Sequence, residues 1–140
     1  MILNQIAVYL PNKPGQLSNL IEILMEHKIY IKSMMVAKTE DYGMILLLVD
    51  KFEKCVEILE EKDFIYSTGE VVAVKLKDNI GELYKISKLF GENKVNIDYL
   101  YSTLHYSENN EPFALTVFKL DNNDKAVELL RKDGFNLLES

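Results

Sequence analysis

Apolar and polar positions along the chain follow two periods that alternate in a fixed order. Residues 2–10 are apolar and β-branched, and they stop at residues 11–15 (PNKPG), whose prolines and glycine are turn formers. This predicts a strand and a loop. Leu17, Leu20, Ile21 and Leu24 then follow the i, i+3, i+4, i+7 spacing of an amphipathic helix, ending near His27. Residues 29–37 read as a strand, residues 40–43 (EDYG) as a hairpin turn, and residues 44–49 (MILLLV) as a strand with both faces at least partly covered. Phe52, Cys55, Val56 and Leu59 repeat the helical spacing, and residues 64–66 read as a short last strand. The predicted order is β-α-β-β-α-β.

The same string then recurs. Shifting the sequence by 66 places residues 6–36 on residues 72–102, with eight identities in 31 pairs, among them Gly15/Gly81, Leu17/Leu83 and Ile31/Ile97. About two would be expected by chance for this composition. At a shift of 71, residues 44–64 fall on residues 115–135, matching Asp50/Asp121, Glu57/Glu128 and Phe64/Phe135. The change of shift places a five-residue insertion between residues 102 and 112 of the second copy. That copy predicts a strand at 71–76, a helix on Leu83, Ile86, Leu89 and Phe90, and a longer hairpin from 96–105 and 112–120. A helix on Ala126, Val127 and Leu130 follows, with a last strand from Phe135. Two copies of about 65 residues argue against a solenoid.

Each copy is therefore a split βαβ, ferredoxin-like unit of the α+β class, an antiparallel sheet with both helices on one face. The expected modules are residues 1–68 and 69–140. A 65-residue half is marginal alone, and only about three residues link the copies, so they are expected to pack together.

Composition removes several function classes. The longest purely apolar run is six residues, against roughly 18–20 for a membrane span. The first residues carry no basic segment or small-residue cleavage site, so neither signal peptide nor anchor is expected. A single cysteine, Cys55, excludes an internal disulfide and a CxxC site, which fits reducing cytoplasm. Sixteen basic residues, one of them an arginine, against 22 acidic ones give a net charge of −6, unsuited to a nucleic-acid stripe. Each half contributes −3, as a duplication would.

The fold alone does not choose a function. A soft-metal carrier would need paired cysteines in the first loop, and an acylphosphatase-like enzyme an arginine there; Arg131 lies in the last helix. What the two strand–helix loops hold is NKPGQL at 12–17 and DNIGEL at 78–83, with IYI at 29–31 and VNI at 95–97 as second strands. With these motifs the chain resembles the ACT domain family of amino-acid-binding regulatory modules, over nearly its whole length. It is most similar to the stand-alone tandem type, which has no catalytic domain. Ile80 departs from the proline the family prefers there.

A glycine turn lets a ligand approach the backbone, and the helix that follows offers unpaired N–H groups to a carboxylate. Gly15, Gln16 and Leu17, or Gly81, Glu82 and Leu83, would supply them. Asn12 or Asp78 would orient the loop or accept from an ammonium group, and Pro14 and Asn79 complete the loops. The resemblance implies a site completed by the second strand of a neighbouring module, around residues 32–35 and 98–101, which adds Met34 and Tyr99 to the ligand-binding candidates. Plainer roles stand beside these. The glycines serve the turn, Asn12 and Asp78 the turn or helix start, and the methionines the packing. Cys55 is expected in the core. His27 and His105 have no partners at ligand spacing, so neither metal binding nor general-base work is expected, and no cofactor is implied. Tyr99, Tyr101, Tyr106 and Phe113 form either an interface or a ligand cage. The expectation is a non-catalytic regulator that binds an amino acid, forms a homodimer and acts on a metabolic enzyme. A structural or interaction module with degenerate sites is the alternative.

Overall fold

The chain's two periods become strands and helices in the expected order. The computed structural model describes residues 1–139: β1 (Leu3–Pro11), α1 (Gln16–Glu26), β2 (Ile31–Lys38), β3 (Tyr42–Val49), α2 (Phe52–Glu61), β4 (Ile65–Lys77), α3 (Glu82–Glu92), β5 (Ile97–Tyr106), β6 (Pro112–Leu120), α4 (Asn123–Lys132) and β7 (Asn136–Leu137). It divides into two compact units, one of Asn4–Gly69 and one of Met1–Leu3 with the chain from Glu70 onward.

In the first unit the strand order is β2-β3-β1-β4, and β3 runs antiparallel to both β1 and β2. Ile6, Val8 and Leu10 of β1 and Ile45 and Leu47 of β3 face Leu20 and Leu24 of α1 and Cys55, Ile58 and Leu59 of α2. Both helices therefore cover one sheet face. Leu46 and Leu48, which point the other way along β3, are 2% exposed, so that strand is covered on both faces. The second unit repeats the plan with the order β7-β4-β6-β5, all neighbours antiparallel. Val72, Val74, Leu76 and Phe118 pack on Ile86, Phe90, Ala126 and Leu130, and Phe90 meets Phe118 edge to face at 5.4 Å. Both units are ferredoxin-like βαββαβ folds.

The repeat extends to single hydrogen bonds. Asp50 Oδ1 accepts from the Tyr30 backbone N–H at 2.9 Å, and Asp121 Oδ1 accepts from the Asn96 N–H at 2.9 Å. Each carboxylate ties the entry of its unit's second strand to the exit of the third. All four helices end alike. A residue with positive φ (Lys28, Asp63, Lys94 or Gly134) is followed by an apolar residue whose N–H reaches back to the last turn. These bonds are Ile29 to the Leu24 carbonyl at 3.0 Å, and Phe64 to Leu59, Val95 to Phe90 and Phe135 to Leu130, each at 2.9 Å.

Three expectations change. The short strand at 64–66 and the strand at 71–76 are one strand, β4, of 13 residues, so the segment read as a linker has strand geometry. Residues 67–69 contain no proline to interrupt a ladder. The first hairpin turns one to two residues earlier than expected, because Tyr42 and Gly43 already pair with Pro11 and Leu10. The final strand is only two residues long.

Candidate functional site

The two strand–helix loops have the same conformation. After β1, the Lys13 N–H donates to the Pro11 carbonyl at 2.9 Å, which turns the chain tightly about Asn12. After β4, Asn79 donates to Lys77 at 2.9 Å about Asp78. Gly15 (φ 88°, ψ −13°) and Gly81 (φ 97°, ψ −14°) then cap α1 and α3 in the left-handed region that glycine adopts without strain. Ile80, 105% exposed where the first loop has Pro14, leaves this geometry unaltered. A Cβ built on either glycine meets no atom within 4 Å, so the space over each cap is open.

The capping role falls to the glycines. Asn12 and Asp78 lie three residues before them, and no side chain caps either helix. One of the N–H groups expected to face a ligand is already engaged, since Gln16 donates to the Lys13 carbonyl at 3.3 Å. The Ser18 hydroxyl, which the sequence did not single out, donates to the Gly15 carbonyl at 3.0 Å. Leu17 packs against the first core, whereas its counterpart Leu83 is 49% exposed. Glu82 is paired with Lys85 at 3.2 Å, which offsets the repulsion its carboxylate would present to an incoming anion.

Met34 and Tyr99 lie elsewhere in their own units. Met34 sits opposite Leu47, which faces Ile6, and packs against the first core. It is thus two strands away from β1 and five residues short of Pro11, roughly 17 Å along the strand. Tyr99 pairs with Lys119 and stacks on Tyr101 at 6.5 Å, also well back from the second loop. Within each unit the loop residues form a cluster that Met34 and Tyr99 do not join.

The core role expected of Cys55 matches the structure. Cys55 is buried as a free thiol in the first core. His27 Nδ1 lies 2.8 Å from the Ile23 carbonyl, and His105 stacks on Phe113 at 5.6 Å. Among the described residues no group of three His, Cys, Asp or Glu side chains could hold a metal ion, and no helix is long and apolar enough to cross a membrane.

The family model of the ACT domain pair matches residues 1–140. The chain belongs to the ACT domain pair family. No curated protein matches it. Protein BT0572 from Bacteroides thetaiotaomicron has a similar structure, with a TM-score of 0.87 and 28% identity over 99% of this chain and 92% of that one. The ligand-free regulatory subunit of aspartate kinase from Thermus thermophilus has a TM-score of 0.64 at 13% identity, covering 94% of this chain and 92% of its own. The corresponding Thermus flavus subunit has a TM-score of 0.58 at 14% identity, covering 92% and 90%. At those identities the two subunits share the fold with this ACT domain pair, and their likeness carries no further meaning.

Proposed function

We propose that this ACT domain pair is a non-catalytic cytoplasmic regulator that binds an amino acid at its strand–helix glycine loops. Ligand occupancy would alter its contacts with a metabolic enzyme, and the protein would act as a homodimer. The observation that carries the reading is the glycine cap repeated with one backbone conformation at the start of α1 and of α3. An α-carboxylate placed there meets the first-turn N–H groups and the positive end of the helix. Asn12 and Asp78, exposed beside the caps, would take the ammonium group.

A thermal-shift panel of the twenty amino acids tests this directly. A ligand at 100 times its dissociation constant adds about 2.7 kcal/mol, or several degrees for a chain of this size. One or a few amino acids are expected to raise the melting temperature. A flat panel would leave the structural or interaction module as the better reading.

A further inference from the structure

The duplication builds one cleft twice, and the two copies differ in chemistry. In the first unit a cleft of about 510 Å³ is lined by Tyr9, Leu10 and Pro11 of β1, Asp41 and Tyr42 at the hairpin, and Ile65 of β4. In the second unit a cleft of about 680 Å³ is lined by Lys75 and Lys77 of β4, Pro112 and Phe113 of β6, Asn136 of β7 and the hairpin loop. The shifts of 66 and 71 set Tyr9 on Lys75, Pro11 on Lys77, Asp41 on Pro112, Tyr42 on Phe113 and Ile65 on Asn136. The pairing agrees, since Pro11 faces Tyr42 and Lys77 faces Phe113.

The first copy fills these positions with two tyrosine rings in edge contact at 5.5 Å, a proline and an isoleucine. The fold therefore does not require lysines there. In the second copy, Lys75 and Lys77 alternate with Val74 and Leu76 of the core, so both stand on the sheet face away from the helices, roughly 7 Å apart. The Lys75 ammonium lies 5.7 Å from the centre of the Phe113 ring. That contact orders the side chain without consuming its N–H donors. Among the described residues neither lysine has an ion-pair partner. Glu108 and Glu111 line the same cleft from the hairpin loop, and their charge opposes an anion on that side.

We propose that the cleft of the second unit binds a small organic anion. Its carboxylate or phosphate head lies between Lys75 and Lys77 with the Asn136 amide as a further donor, and its apolar body rests against the Phe113 ring on the same sheet face. The site adjoins the second glycine loop, whose turn begins at Lys77, but its donors are the lysine and asparagine side chains and it does not rest on the reading given for the loops.

Amide-resolved NMR titration of the full chain at constant ionic strength tests the assignment, with benzoate, phenyl phosphate and benzyl alcohol as probes. Saturable shifts at Lys75, Lys77, Phe113 and Asn136 are expected with the anions and not with the alcohol, and the stronger anion identifies the head group. Lys75→Gln with Lys77→Gln should weaken binding about fivefold or more, and Glu108→Gln with Glu111→Gln should tighten it about twofold or more. All four side chains are exposed, and the dispersion of each spectrum reports folding. An equal response to benzyl alcohol, shifts centred on the first turn of α3, or unchanged affinity in the lysine variant would each overturn the proposal.

Discussion

Cys55 and Tyr101 are two buried groups that tie the stability of the fold to alkaline pH. Burial pushes the Cys55 thiol from 9.0 up to about 11, and burial with the nearby Tyr99 phenol raises Tyr101 well above its ordinary 10.0. Both groups are neutral when protonated, so the fold holds its protons at pH values where the unfolded chain has released them. A raised folded-state pKa gives stability that is complete below the unfolded value and is lost as pH climbs through the folded one. For the thiol that window runs from about 9 to about 11. The melting temperature is expected to change little up to pH 9 from these groups and to fall between pH 9 and 11. Cys55→Ala, at a cost of about 1–2 kcal/mol near neutrality for the lost packing, should make that fall shallower. An alkaline fall of the same depth in Cys55→Ala would assign the effect to the phenols, Tyr101 and Tyr66, the second being raised by its hydrogen bond to Glu60.

At the scale of elements, the two strand–helix loops offer a controlled comparison, because their backbones match while their residues differ. Pro14 restricts the unbound first loop and lowers the entropy of ordering it, whereas Ile80 does not. Asp78 places a carboxylate where the first loop has the neutral Asn12; Glu82 adds less, being paired with Lys85. Both surviving differences favour the first loop for an anionic head. Gly15→Ala should weaken amino-acid binding more than Gly81→Ala, each costing about 1 kcal/mol of stability at a positive φ. Calorimetric titration of folded variants decides it, and a loss confined to Gly81→Ala would name the other loop. These loops were legible in the sequence because proline, glycine and the change of period mark them. Long β4 was not, because residues 65–70 carry no apolar alternation to mark a strand. The helix ends were only partly legible, since Lys28, Asp63 and Lys94 take positive φ where glycine is the usual marker. The lysine cleft was hidden for a related reason. Lys75 and Lys77 look like an ordinary solvated strand face until register brings Phe113 and Asn136 beside them.

At the scale of the whole molecule, the proposed homodimer follows from strands left at sheet edges. β5 closes the strand order of the second unit as its outer strand. It is long and carries large exposed apolar side chains, Leu104 at 56% and Tyr106 at 60%. Natural edges are usually blunted by charge, proline or brevity, and β5 carries only Asp98 as a full charge and no proline. A second copy of the chain suits such an edge through a two-fold axis, antiparallel β5 on β5, which covers Leu104 and Tyr106 reciprocally. The longer hairpin of the second copy, residues 99–113, would form the contact. Light scattering at micromolar concentration should give twice the 16.2 kDa chain mass. Leu104→Lys places two like charges across the axis without touching either core, and the mass should fall to that of one chain. A monomeric mass for the unsubstituted protein would refute the dimer. A dimer that survives Leu104→Lys would move the interface from β5 to another edge, with β2 and its exposed Val36 next to be tested.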